Sequence, residues 1–274
     1  MIRPQIIATD LDGTSLCDNV RMSERTYAMF QRAQASGIQV VIVTGRSVCY
    51  LREMDLPDYR YAICSNGVVV MDMLRNKAVY KDYFTPQEAL TAWEIIRGRG
   101  AFVELSMEND VVVEQKDFDR YAGHPLLSFM KDYYAAGKMH VVPDMDSFIR
   151  ANLDNIEKFT MLRSGQEITE AIRRDLNACG LFETRAGYEV DVMAIPRRTN
   201  KGRALLALAD TLGVPHEAVY AFGDGKNDIA MLQAAGCGVA MGNAPDFVKA
   251  EADCVCGRCD EDGLAEFLEK NFGI

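Results

Sequence analysis

The sequence predicts an α/β fold: a Rossmann-like parallel-sheet core interrupted by an inserted α+β module. Three observations predict it. Short apolar runs at Ile6–Ala8, Gln39–Val43 and Val219–Phe222 have the length and content of buried strands. Segments of helical periodicity alternate with such runs at both ends of the chain, and a strand–helix–strand order implies right-handed crossovers and a parallel sheet. Between residues 84 and 189 that rhythm gives way to neighbouring strands, the pattern of a separate α+β sheet.

The elements follow in order. After the first strand, Ser23 is placed to cap a helix over 24–36, and Gly37 falls where a C-terminal glycine belongs. A strand to Val43, a helix over 47–54 and a strand over 61–64 come next. In the middle, Thr85-Pro86-Gln87-Glu88 opens a helix with proline in the first turn. Asn109-Asp110 supplies the turn between the runs 101–105 and 111–113, a hairpin. A strand over 156–162, a helix over 166–179 and short strands near Phe182 and Val190 complete the insert. The alternation then resumes: helix 202–212 stopped by Gly213, strand 218–222, helix 228–235 stopped by Gly236, strand 238–241, helix 245–250, strand 253–256 and a helix from Asp262. The expected domains are a core of 1–83 and 190–274 and an insert of 84–189.

Composition limits the functions available. The chain has 274 residues, 49% hydrophobic and 26% charged, in the ordinary globular range. A net charge of −10 argues against a nucleic-acid or acidic-membrane partner, which would need clustered Lys and Arg. No apolar run has membrane-spanning length, and the first strand begins without room for a signal peptide, so a cytoplasmic location is expected. On that expectation the eight cysteines (17, 49, 64, 179, 237, 254, 256 and 259) read as reduced thiols. Cys254, Cys256 and Cys259 are close enough to suggest zinc, but no fourth ligand completes the set. His124, His140 and His216 lack ligand or triad spacing.

The first strand ends in Asp10-Leu11-Asp12-Gly13-Thr14. Residues two apart on a strand face the same side, and two like charges held together call for a cation between them. A hard divalent metal such as Mg2+ is the simplest partner for carboxylate oxygens. The strand to Val43 ends in Thr44-Gly45-Arg46, and the strand to Phe222 ends in Gly223-Asp224-Gly225-Lys226-Asn227-Asp228, with Lys201 at the head of a helix before it. Each run delivers its polar group at its carboxyl end, the edge at which open parallel sheets bind ligands. Acid pairs, a hydroxyl and a lysine at one edge suit a phosphate and a metal.

These motifs, in this order, resemble the haloacid dehalogenase superfamily of phosphohydrolases. The text Ser65-Asn66-Gly67, Ile229-Ala230-Met231-Leu232, Val239-Ala240-Met241-Gly242-Asn243-Ala244 and Glu261-Asp262-Gly263 is similar to its Cof-type branch, subfamily IIB with a C2-type cap. The resemblance implies a cap domain over 84–189 that selects the substrate, and Mg2+-dependent hydrolysis of a small phosphorylated metabolite through an aspartyl-phosphate. By the same resemblance Asp10 is the nucleophile and Asp12 the general acid and base, with its backbone carbonyl also on the metal. Asp224 is a direct metal ligand. Asp228 acts through the metal's waters or caps the following helix. Lys201 pairs with phosphate and Asp10, and Thr44 donates to phosphate. Leu11, Gly13, Gly45, Arg46 and Asn227 are further phosphate or substrate contacts, and Thr14, Asn66 and Asn243 lie at the site's edge. A phosphomutase and a non-catalytic binding module are the rival readings on this core. Which metabolite is bound, and in what oligomeric state, is not written in any motif.

Overall fold

The structure is a computed structural model that describes residues 2–18, 21–121, 137, 139–162, 164–186 and 192–274. In chain order its strands are β1 (Ile6–Asp10), β2 (Gln39–Val43), β3 (Tyr61–Cys64), β4 (Val69–Asp72), β5 (Lys77–Lys81), β6 (Phe102–Met107), β7 (Asp110–Glu114), β8 (His140–Val142), β9 (Ile156–Leu162), β10 (Phe182–Ala186), β11 (Val192–Pro196), β12 (Val219–Gly223), β13 (Cys237–Ala240) and β14 (Cys254–Val255). They divide into two compact units. One comprises Met1–Arg46, Tyr50–Lys81 and Thr199–Ile274; the other comprises Ser47–Cys49 and Asp82–Arg198.

The first unit holds a sheet in the order β14-β13-β12-β1-β2-β3-β4-β5. Pairing is parallel from β14 to β3, and every residue of β1 and β12 is buried. Such strands read as unbroken apolar runs because helices cover both faces. On β12, Val219 and Ala221 cluster with Leu205 and Leu208 of the helix Lys201–Leu212. The alternate residues meet the terminal helix Gly263–Phe272, with Tyr220 edge-on to Phe272 at 5.1 Å and Phe222 to Phe267 at 5.5 Å. β1 lies between β2, its successor in this unit, and β12, which is reached only after the second unit, so the strand order reverses at β1/β12. A crevice at the carboxyl ends of such a reversal is where parallel sheets take ligands.

The predicted caps form. Ser23 Oγ accepts from Thr26 N–H, and Thr85 with Glu88 forms a reciprocal capping box around Pro86. The sheet departs from the purely parallel expectation at one edge, where β4 pairs antiparallel with β3 and β5 with β4, the turn between β4 and β5 passing through Asn76, whose φ is 50°. Asparagine tolerates that left-handed turn better than most residues. The helix expected over 47–54 is only Val48–Leu51.

The second unit carries a separate sheet in the order β10-β11-β9-β6-β7-β8, antiparallel except between β7 and β8. The hairpin at Asn109-Asp110 is present as β6–β7. One sheet face holds Val103, Leu105, Phe159 and Met161 in a core with Trp93, Ile96, Ile172 and Leu176 of two helices. The opposite face alternates to Glu104, Ser106, Lys158 and Thr160, all buried. The boundary read at 189/190, the strand near Val190 and His124 lie outside the described residues. β11, whose residues fall on the core side of the boundary read at 189/190, pairs with β9 and β10 and belongs to this second sheet.

Among the described residues, no helix is long and apolar enough to cross a membrane. The reading of all cysteines as reduced thiols is overturned at two positions: Cys17 and Cys259 form a disulfide, and the other six form none. Their separation of 242 residues leaves no local sign of the pairing.

Candidate active site

Four segments of the first unit converge at the carboxyl ends of β1, β2 and β12. Asp10 is the last residue of β1, Thr44 follows β2, Asp224 follows β12, and Lys201 opens its helix behind the Asn200 cap. Oxygens of Asp10, Asp224 and Asp228 all lie within 4.8 Å of one another. The Lys201 ammonium, wholly buried, reaches Asp10 Oδ1 at 2.9 Å and Asp228 Oδ1 at 2.6 Å. Three carboxylates against one ammonium leave an excess of two negative charges, the charge of one divalent cation.

The electrostatics record that excess. Burial pushes the Asp10 carboxyl well above its ordinary range; Asp228 adds to the rise, Lys201 offsets part of it, and Asp224 raises it further. Asp224 is pushed up to about 6, first by burial and then by Asp228, against the opposing Thr14 hydrogen bond and Lys201. Burial alone would lower the Lys201 ammonium, but Asp10 and Asp228 hold it above its usual value. Like-charged carboxylates kept this close and dry favour protonation unless a cation joins them.

Each predicted residue can now be placed. Asp228 does not cap the following helix with its side chain. Its Oδ2 turns back to accept from Asp224 N–H at 3.1 Å and Gly225 N–H at 2.8 Å, while Oδ1 holds Lys201. The carboxylate therefore fixes both the β12 loop and the lysine. Gly223 permits this, because a Cβ there would stand 2.4 Å from the Asp228 Cβ. Thr14 Oγ donates to Asp224 Oδ1 at 3.0 Å. Gly13 has a φ of 82°, and a Cβ on it would lie 2.3 Å from Asp224 Oδ2, so only glycine lets the β1 loop close on that carboxylate. Leu11 is buried, and its carbonyl accepts from Thr14 N–H and Leu16 N–H.

Asp12 stands apart from the acidic cluster. Its carboxylate is gripped through both oxygens by Arg46, at 3.1 Å from Nε and 2.5 Å from Nη2. The side chain read as a substrate contact, Arg46, thus engages the acid at the neighbouring strand end. Thr44 is fully buried, and its hydroxyl accepts from Arg46 N–H at 3.1 Å. A Cβ on Gly45 would come within 3.1 Å of the Asn66 amide, and Asn66 Oδ1 accepts from Asn227 Nδ2 at 3.2 Å. Asn243, placed only at the edge by the sequence, donates to Gly13 O at 2.8 Å and to Asp224 Oδ2 at 3.4 Å. Among the described residues, Cys254, Cys256 and Cys259 form no metal-holding group.

The chain is similar to known phosphatases along its whole length. The chain is 32% identical over 294 aligned positions to the 5-amino-6-(5-phospho-D-ribitylamino)uracil phosphatase YitU of Bacillus subtilis, with 99% of each chain covered. It is 28% identical to the pyridoxal phosphate phosphatase YbhA of Escherichia coli, covering 96% of this chain and 97% of that one. A solved sugar phosphatase of haloacid dehalogenase subclass IIB superposes with a TM-score of 0.74 at 25% identity, covering 98% of this chain and 99% of that one. Similarity to phosphatases along the whole chain, with acids and a buried lysine at the reversal of a parallel sheet, defines a hydrolase of phosphate monoesters. The chain belongs to the haloacid dehalogenase-like hydrolases, whose family model matches residues 7–268. It is a phosphatase of small phosphorylated molecules.

Proposed function

We propose that the protein hydrolyses a small phosphorylated metabolite, a sugar phosphate or similar phosphomonoester, in the cytoplasm through an aspartyl-phosphate on Asp10, with Mg2+ as cofactor. The observation that carries this reading is the buried Lys201 ammonium bridging Asp10 and Asp228 beside Asp224. Asp10, Asp224 and the backbone carbonyl of Asp12 would hold the metal, an all-oxygen donor set that suits a hard cation, with Asp228 supporting it from behind. When bound, Mg2+ supplies charge neutralisation to the phosphoryl group and to the clustered carboxylates.

The chain's own residues do the rest. Lys201 holds one Asp10 oxygen, which leaves the other for in-line attack on phosphorus. The same ammonium offsets charge on the phosphoryl oxygens. Thr44 accepts from Arg46 N–H, so its hydroxyl proton is directed to a phosphate oxygen. Asp12 protonates the leaving oxygen and then draws a proton from the attacking water. Arg46 sets the direction of that carboxylate. Leu11 and the side chain of Asn227 complete the phosphate cradle, with Gly13 and Gly45 letting the backbone approach closely. The second unit, with its buried polar sheet face, is read as the cap that selects among substrates.

A phosphate-release assay across a panel of phosphorylated metabolites tests the reading. Activity should require Mg2+, vanish with a chelator and return with Mg2+ but not with Ca2+, whose looser and higher coordination spoils in-line geometry. Full activity in metal-free enzyme would overturn it. Interconversion of sugar monophosphates with little phosphate released would favour a mutase.

The raised carboxyls add a pH dependence. Between the ordinary value of 3.8 and about 6, native Asp224 binds more protons than the unfolded chain. Its contribution therefore makes the metal-free protein lose stability as pH rises through that window. Against an Asp224→Asn reference, metal-free wild type should fall in Tm between pH 4 and pH 7, by roughly 2–4 °C per kcal/mol for a chain of this size. Added Mg2+ should raise Tm more at pH 7 than at pH 5, because its ligands must first ionise. A Tm difference from the reference that ignores pH would contradict this.

Gly13→Ala tests the close approach of the β1 loop. The new methyl would force Asp224 aside, and misplacement of about 1 Å costs on the order of 10²-fold in rate. We expect that loss in kcat/KM together with a higher Mg2+ requirement; near-normal kinetics would refute the packing argument.

A further inference from the structure

The disulfide bears on the acidic site from two directions. Cys17 is exposed and ends the loop that leaves β1; Cys259 is buried just before the terminal helix. From Cys259, the backbone N–H donates to Asn243 Oδ1 at 2.9 Å. The Asn243 Nδ2 then donates to Gly13 O and Asp224 Oδ2. With its oxygen and its nitrogen both engaged, the amide has one orientation. From Cys17, the chain runs back through Leu16, whose N–H meets Leu11 O at 2.7 Å and whose carbonyl accepts from Gly13 N–H at 2.8 Å. Thr14, inside that tight loop, donates to Asp224 Oδ1. Both routes from the disulfide end on the same carboxylate, one on each oxygen.

We propose that Asn243 and the Cys17–Cys259 disulfide form a redox-dependent brace that positions Asp224, with Asn243 the positioning residue and the disulfide its lock. Asp224 needs such a brace because the Asp10 and Asp228 carboxylates lie within 4.8 Å of it and repel it. Thr14 and Asn243 are its two side-chain donors among the described residues, and both depend on loops that the disulfide ties together. Cleavage would free the β1 loop and the 257–262 loop to separate, and both donors would loosen at once. The chemistry is ordinary thiol–disulfide exchange with a dithiol reductant. A reductant thiolate attacks one protein sulfur, giving a mixed disulfide and one cysteine thiolate; its second thiol then displaces the other cysteine. The protein gains two thiols and the reductant leaves as a cyclic disulfide. In a reducing compartment the brace would be open, and oxidation would tighten the site. The proposal rests on the reading of Asp224 as a metal ligand.

The experiment has two parts. Alkylation of the denatured protein should modify six cysteines without reductant and eight after reduction; eight without reductant would overturn the proposal. Calorimetric titration with Mg2+ then compares oxidised wild type, reduced wild type, Cys17→Ser and Asn243→Asp, with Cys179→Ser as a control. Loss of groups that orient metal ligands costs about 10–100-fold in affinity. The reduced, Cys17→Ser and Asn243→Asp proteins should bind Mg2+ at least about 10-fold more weakly. Cys17→Ser should no longer respond to reductant, and Cys179→Ser should respond like wild type. Activity should follow the same split, with a raised Mg2+ activation constant and a kcat at saturating Mg2+ close to that of the oxidised enzyme. Equal affinity in the oxidised and reduced forms, or a reductant response that persists in Cys17→Ser, would overturn the brace. Absence of Mg2+ binding in every form would instead overturn the metal reading on which the brace rests.

Discussion

Asp10→Asn should abolish turnover and leave no phosphoenzyme with any substrate. The amide keeps the shape of the side chain and can still face Lys201, but it cannot form an acyl phosphate. Removal of a covalent nucleophile costs on the order of 10⁵–10⁶-fold. The loss should fall on kcat, because Lys201 and Thr44, the proposed phosphate contacts, remain. Stability should move the other way. Burial and the neighbouring Asp228 already penalise the Asp10 charge, so a neutral isostere relieves repulsion, and the metal-free variant should melt no lower than wild type. Rapid quench with a labelled phosphate ester tests the first expectation, and a thermal melt in chelator tests the second. A labelled, acid-stable, hydroxylamine-sensitive intermediate in this variant would exclude Asp10 as the nucleophile.

Asp12→Asn should separate the two halves of the reaction. p-Nitrophenolate is a good leaving group and scarcely needs an acid, so Asp10 should still be phosphorylated. Breakdown of the intermediate needs a base for water, and the amide cannot act as one. That step should slow by roughly 10²–10⁴-fold. Rapid mixing with p-nitrophenyl phosphate should give a burst near one equivalent followed by slow turnover. An alkyl phosphate, whose leaving oxygen does need a proton, should give no burst. The fork between Arg46 and Asp12 sharpens the expectation, because the asparagine amide would offer Arg46 one acceptor in place of two. Normal turnover of both substrates would show that Asp12 is neither acid nor base.

In the proposed mechanism these two carboxylates take different roles because their surroundings differ. Asp10 is buried, held by a lysine and flanked by acids. Asp12, two residues on, is half-exposed and paired with an arginine outside the acidic cluster. One position favours attack on a neutralised phosphoryl group, and the other favours proton exchange with a leaving group or water.

The sequence by itself determined the strands that build the active-site edge and the polar groups that end them. The apolar run before Asp10, the one before Thr44 and the one before Asp224 are local patterns, and period-two alternation with short loops fixes them without distant help. Ser23, Thr85 and Gly213 announce helix ends for the same reason, since caps act within a turn of the chain. The tertiary structure alone decided which polar groups meet. Asp228 could serve as a helix cap or as a support for the metal until Lys201 arrived across 27 residues to claim one of its oxygens. Arg46 could have met phosphate, but across 34 residues it grips Asp12. The edge hairpin β4–β5 and the assignment of β11 to the second sheet depend on pairing partners, which periodicity does not name. The pairing of Cys17 with Cys259, 242 residues apart, leaves no trace in either neighbourhood. Local spacing encodes which face a side chain takes, but the partner it finds there depends on how strands distant in sequence come to lie side by side.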